Sequence, residues 1–447
     1  MTGKSSLIFV IGFGLIMGYI SLNLHEGGKQ ADSNSALYYE TTMLHNIAVA
    51  GAHMGLAKVF QDTAWGLNGA KIEHELSGGT IPASYSVERV PATGSGGTMI
   101  RSIARYRVPG YSGDPLETTI EVYLARQQLQ SFAMYAWMTN SENINGTPIN
   151  WITGDLVDGR VHTNGRINVN GFPNFMGLVT TVNGFNFTPG TGTNRGTYQQ
   201  GWESGVDSIK FPRDLSALVT ASQDVANGGR YFDSTSIWVT LSGGNSSVRG
   251  DGTALVRFSS AGPVVDTVVL NSTFNGLILG RDSVHVRGVL DGRLTVASLH
   301  DIFIEDNITY EQDPRVVPTS TDMLGLVAER RILVVDNPAN STDCTIHASI
   351  FSRDSSFIVE NSNSGPPRGI LSVLGSVIQN TRGPFGTFSS GILMTGFSKQ
   401  LVYDRRLENP TVRPPFFPGF FPPTLPIVSW WESPVNAIKV EEHHHEH

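Results

Sequence analysis

An uninterrupted uncharged run, Leu7–Leu24 (LIFVIGFGLIMGYISLNL), preceded by one basic residue, Lys4, limits what this chain can fold into. As a helix the run is about 27 Å long, close to the roughly 30 Å hydrocarbon core of a bilayer. Three states suit such a segment: a cleaved signal peptide, a permanent single-pass anchor, and the apolar half of a longer helix that leaves the membrane for a filament. The next residues are His25-Glu26-Gly27-Gly28, so no small-x-small cleavage site follows directly. We therefore expect residues 1–24 to stay on the chain as a membrane contact, with Lys4 inside and everything after Leu24 exported. Gly14 and Gly18 share one helix face and would admit a second helix closely, although glycine is also common in membrane helices generally.

A polar stretch, Gly27 to Asn34, is expected to break the helix before a second one over 32–66. There Ala36, Tyr39, Met43, Ile47, Ala50, Met54, Ala57, Phe60 and Ala64 recur every three or four residues and predict one apolar stripe. Asp32, Ser33 or Asn34 would cap it and Gly66 would end it. His45 and His53 fall toward its polar side and read as solvated.

From Ala83 the periodicity alternates. Ser84–Val90, Ile100–Val108 and Thr118–Ala125 predict a three-strand meander within 67–130, which would wrap the second helix and bury its stripe. From Gly154 short alternating strands recur, among them Val161–Thr163, Leu277–Leu279, Leu294–Val296, Ile332–Val334 and Leu371–Val373. Corners such as Asp158-Gly159, Asn170-Gly171 and Asp291-Gly292 separate them. Such spacing suits the coils of a parallel β-solenoid over 131–405, with a β-sandwich as the alternative. Residues 184–262 interrupt the pattern and predict an inserted side domain, in which Asp214 caps a short helix with Leu215, Leu218 and Val219 on one face.

The remainder, 406–447, reads as an extended tail. Pro414–Pro423 cannot form a helix or a central strand, and its four phenylalanines, with Trp430 and Trp431, would cover an end or flank of the solenoid or dock a partner or sugar. The terminal His443–His447 run reads as a tag-like end. The fold class is thus mainly β with a long N-terminal helix: a pilin-like helix plus small antiparallel sheet, followed by the β-solenoid and its side domain.

Composition narrows the function. The net charge of −8 provides no basic field for nucleic acid. Cys344 is the only cysteine, so no internal disulfide forms. Nucleophile-elbow, zinc-protease, phosphate-loop and Cys/His metal spacings are all missing. Asp155 with Asp158, and Asp354 with Glu360, are the carboxylate pairs a glycan-cleaving solenoid would use, but turns need Asp for their own backbone bonds. Arg330-Arg331 and Arg405-Arg406 read as solvated corners. The expectation is a non-enzymatic chain with no catalytic, cofactor-binding or metal-binding residues and no cofactor.

The run HNIAVAGAHMGLAKVFQD (His45–Asp62) after the apolar N-terminus resembles the start of PilX-type pilus-assembly and other type IV pilin-like proteins. The body resembles an uncharacterised bacterial domain-of-unknown-function envelope family through DGRVHTNGRINVNGFPNF (Asp158–Phe175), FPRDLSAL (Phe211–Leu218) and DGRLTVASLHDIFIEDNITY (Asp291–Tyr310). LGLVAERRILV (Leu324–Val334), NSGPPRGILSVLGSVIQNTRGPFGTF (Asn363–Phe388) and VSWWE (Val428–Glu432) complete it. Type IV pilins begin Gly-Phe-Thr-Leu-x-Glu, whereas here Gly3 precedes Lys4-Ser5-Ser6 and Leu7–Leu24 has no acidic residue. The resemblance implies an accessory or minor pilin-like subunit, surface scaffold or adhesin of the cell envelope. It would be held to the bacterial cytoplasmic membrane through Leu7–Leu24, with pilus-assembly or other envelope proteins as partners, an unidentified surface or carbohydrate ligand, and no nucleic acid. A membrane-anchored polysaccharide-active enzyme and a self-polymerising solenoid are the alternatives.

Overall fold

The first 61 residues hold no proline, and glycine alone costs a helix only about 1 kcal/mol per residue. The polar stretch therefore does not break it: one helix, α1 (Gly3–Gln61), runs through Gly27–Asn34 in the computed structural model. At 1.5 Å per residue it is roughly 88 Å long. The structure describes residues 3–61, 65–76, 82–91, 97–109, 113–125, 129–188, 196–233, 235–244, 252–389, 391–421 and 427–435, with α1 side chains from residue 10. Ala64, Pro422, Pro423 and the His443–His447 run lie outside these residues. The chain divides into two units, Met1–Gln128 with Thr424–His447, and Leu129–Pro423.

In the first unit, β1 (Lys71–Glu75), β2 (Ala83–Pro91), β3 (Thr98–Tyr106) and β4 (Leu116–Leu124) form an antiparallel sheet in chain order. The meander thus gains a strand before the predicted three. It gains another from the far end of the sequence: Ile427–Glu432, expected as extended tail, pairs antiparallel with β4, Trp430 opposite Val122. The second unit is accordingly an insertion between two neighbouring strands of this sheet. Along β4 buried residues, which share one face, alternate strictly with half-buried residues on the other. On that other face, Lys71–Glu88, Arg101–Glu121 and Arg105–Glu117 pair across strands at 2.5, 2.9 and 2.8 Å.

The α1 stripe that meets this sheet is offset from the predicted one, of which Met43 and Ile47 still pack half-buried against the core. Leu44, Ala48, Ala52, Leu56 and Val59 are buried against Val87, Ile100 and Ile120, whereas Tyr39, Met54 and Phe60 of the expected stripe are exposed. The reason is small side chains. A Cβ on Gly55 would lie 2.6 Å from Ile100 and 2.7 Å from Val87, and one on Gly51 would collide with Ser102. The helix backbone approaches through Gly51 and Gly55, so its contact face is set by small residues between Leu44, Leu56 and Val59, and Tyr39, Met54 and Phe60 are left outside. His45 and His53 are not simply solvated either. His45 Nδ1 lies 2.6 Å from Glu432, and the His53 ring is 5.5 Å from that of Trp430, both on the C-terminal strand.

The second unit contains one large mixed sheet of 22 strands. Most pairings are parallel, and they stack residues into columns. Ile278, Val296, Leu326, Ile350, Val377, Trp137, Val161 and Val179 occupy successive rungs of one ladder, all buried. A second column runs Ile237, Val284, Ile302, Ile332 and Phe357. The rung order differs from the chain order. The chain enters at Trp137–Ser141 in the middle of the ladder and stacks outward through Val161–Thr163 and Val179–Thr181 to Trp202–Ser204. It resumes at the opposite end with Arg230–Phe232 and builds back until Pro367–Thr381 pairs with Trp137–Ser141.

That return corrects the side domain expected over 184–262. Its strands Phe185–Phe187, Thr197–Tyr198, Trp202–Ser204, Arg230–Phe232 and Ile237–Ser242 belong to the ladders. The antiparallel strands Thr253–Arg257 and Val264–Val269 extend them. A short helix, α2 (Ser216–Gln223), is fixed by Asn275 Nδ2 donating to Ala221 O at 2.9 Å, with Leu218 buried. The Asp214 carboxylate accepts from Ser216 N at 3.0 Å, at the very start of α2. The Pro-Phe segment covers a flank: Phe420 packs 4.9 Å and Phe211 5.3 Å from Phe132, and Phe417 lies 6.1 Å from Phe351.

Candidate functional site

The paired carboxylates resolve into structural roles. Asp155 is buried, accepts from Ile152 N at 3.0 Å and pairs with Lys399 at 2.7 Å. Asp158 is held by Arg405. Asp354 pairs with Arg353 at 2.6 Å, and Glu360 accepts from Asp336 N at 2.9 Å. The arginine pairs expected to be solvated are engaged as well. Arg331 clasps the buried Asp301 at 2.7 Å, and Arg406 donates to the carbonyls of Ser320 and Asp322 at 2.9 and 2.8 Å. Burial would raise the Asp301 carboxyl, but its bonds to Arg331 prevail and hold it below the usual range. Among the described residues, no three His, Cys, Asp or Glu side chains gather as a metal site.

One polar constellation in the second unit lay outside every sequence reading. Glu142 directly follows the strand Trp137–Ser141, and Arg382 directly follows Pro367–Thr381. Thr381 and Ser141 are register partners, so the parallel pairing delivers the two charges to the same point. Arg382 Nη1 donates to Glu142 at 2.7 Å, and its guanidinium carbon sits 4.0 Å from the centre of the Trp151 ring. Glu142 also accepts from Thr139 Oγ1 at 2.6 Å and Trp137 Nε1 at 3.2 Å. Lys399 meets Asp155 by the same logic, because Leu401 and Val157, two residues on from each, are partners. Its ammonium lies 5.1 Å from the Trp151 ring centre, and burial lowers its pKa. Beside these pairs is a cavity of about 360 Å³, lined by Asn150, Asn170, Arg382, Phe385, Phe388 and Lys399 among others.

A further stack lies along a ladder. The His285 ring is sandwiched between Trp238 and Phe303, with centroids 4.2 and 4.7 Å away. Its Nδ1 is 2.5 Å from Glu305, and that hydrogen bond, opposed by burial, holds the Glu305 carboxyl below its ordinary value. In the first unit, a groove of about 740 Å³ runs between α1 and the sheet, lined by Tyr38, Tyr39, Met43, Ile47, Leu76 and Tyr85 among others. Further toward the N-terminus α1 is uncovered: Val10, Phe13, Leu15, Ile16, Leu22 and Leu24 all expose more than half of their surface. Among the described residues no helix is long and apolar enough to cross a membrane, and Leu7–Phe9, the first part of the apolar run, lie outside those with described side chains.

A DUF4900 domain, described as a domain of unknown function, is found over residues 84–183, from β2 into the first strands of the second unit. Among solved structures, the competence-associated pilin ComZ from Thermus thermophilus is similar at 12% identity, with a TM-score of 0.35. The match covers 88% of this chain and 97% of that one. No curated protein matches.

Proposed function

We propose that this chain is a non-enzymatic envelope protein, an accessory pilin-like subunit or surface scaffold, anchored through its N-terminal helix and presenting a β-solenoid outside the cytoplasmic membrane. The observation that carries this is the division of α1. Its C-terminal half is clasped by a five-stranded antiparallel sheet, whereas its apolar side chains between Val10 and Leu24 are uncovered. A continuous apolar surface of that extent is not left in water; a bilayer or neighbouring helices cover it. The solenoid reading is supported by the parallel ladders and their columns of buried aliphatic residues, the pairing that stacked coils require. A structural rather than catalytic role agrees with the engagement of Asp155 and Asp158 by Lys399 and Arg405.

Fractionation with protease shaving tests the reading. The full chain should sediment with membranes and lose its body to external protease once the outer layers are opened, and deletion of Leu7–Leu24 should release it. Full-length protein in the cytoplasmic supernatant would sink the proposal.

A further inference from the structure

We infer that the cavity beside Arg382 and Lys399 binds a neutral saccharide unit. Its volume, about 360 Å³, is at the lower end of the range for small-ligand pockets, which suits one sugar ring with its substituents. The walls are of two kinds. Phe388, about one-third exposed at the opening, provides the apolar ring surface, with Phe385 and Phe397 buried behind it. Such faces suit the C–H side of a pyranose, whose hydroxyls need partners at the rim.

The polar groups supply those partners. The side-chain amides of Asn150 and Asn170 make no hydrogen bond among the described residues, and each offers both donors and an acceptor, the mixture that hydroxyls require. The Lys399 side chain is only 10% exposed and its ammonium has one hydrogen-bonding acceptor there, Asp155, so it has donors to spare. Charge decides between a sugar and an anion. Each of the two cations already faces a carboxylate at 2.7 Å, Arg382 with Glu142 and Lys399 with Asp155. A charged ligand would enter without a counter-charge and lose its hydration uncompensated. A neutral polyol does not carry that penalty. The inference does not depend on membrane anchoring, and fractionation and sugar binding succeed or fail separately.

The test is saturation-transfer NMR on the full chain in a sugar-free detergent. The probes are the methyl glycosides of glucose, galactose, mannose and N-acetylglucosamine, with glucuronic acid as the charged comparison. At least one neutral glycoside should receive saturation, with dissociation constants raised fivefold or more in both Phe388→Ala and Asn170→Ala. Both residues are at the surface, so the thermal unfolding profile of each variant should match that of the parent. The proposal is overturned if no neutral glycoside receives saturation, if transfer is undiminished in both variants, or if glucuronic acid binds more tightly than every neutral probe.

Discussion

Arg382 and Glu142 stand 240 residues apart in the chain and 2.7 Å apart in space, with side-chain exposures of 2% and 0%. The pair joins a late rung, Pro367–Thr381, to an early one, Trp137–Ser141, so it marks where the returning chain meets the start of its own ladder. Removing one partner leaves the other charge buried and unpaired, a loss of about 3–5 kcal/mol. Arg382→Met and Glu142→Gln should each cost that much in urea unfolding of the second unit. The double variant should cost less than the sum of the two singles, because no orphaned charge remains. Additive losses would mean that the two side chains are not coupled.

His347 gives the second unit an acid-sensitive joint. Its Nδ1 accepts from Tyr310 N at 3.1 Å, which requires the neutral ring, and burial lowers its pKa from the ordinary 6.5. The folded state therefore binds a proton less readily than the unfolded chain. This contribution to stability is intact above 6.5 and is lost progressively as the pH falls from there toward the depressed folded value. His162, also lowered by burial, acts with the same sign. Urea midpoints measured across this range should fall with acid. They should fall less steeply in His347→Gln, whose amide cannot take up a proton. An equal slope in parent and variant would remove His347 from the account.

Cys344 should be chemically silent in the folded protein. It is buried, and burial pushes its thiol up to about 12, with Asp306 adding to the shift. Because the thiolate is the reactive species, a disulfide reagent at mildly alkaline pH should leave Cys344 unmodified in native protein. It should label one thiol per chain after unfolding in guanidinium chloride. Rapid labelling of the native chain would show that the rung Cys344–Ser352 opens readily.

Much of the second unit was legible locally, because each rung is a short alternating strand closed by a corner. Val161–Thr163, Ile332–Val334 and the other predicted runs are strands where the sequence placed them. Which rung lies beside which was not legible. Nothing in Trp137–Ser141 announces that its partners are Val161–Thr163 on one side and Pro367–Thr381 on the other, since one lies in the next stretch of chain and the other far along it. The crossing back to Arg230 therefore passed for a side domain. Buried charges were missed for a related reason. Glu142, Arg382 and Lys399 look like ordinary surface residues until the register brings a counter-charge to each. In α1 the predicted stripe, with Tyr39, Met54 and Phe60 on it, runs beside the face that touches the sheet, because Gly51 and Gly55 at the closest approach carry no apolar signal.

That misread face yields the last prediction. If α1 docks through its small residues, enlarging Gly55 should damage the first unit more than truncating the bulky residue beside it. A Cβ at Gly55 meets both Ile100 and Val87 within 2.7 Å, side chains rooted in β3 and β2 that cannot swing aside freely. Overpacking of this kind costs about 1–3 kcal/mol. Gly55→Val should lower the unfolding midpoint of the first unit and open the α1–sheet contact to protease. Met54→Ser changes a side chain 43% exposed and should stay within about 0.5 kcal/mol of the parent. Its one recorded bond, accepted at sulfur from Tyr85 Oη at 3.3 Å, is weak. Were Met54→Ser the more damaging of the two, the helix would be docked through its large apolar residues, and the stripe from Ala36 to Phe60 would be the buried one after all.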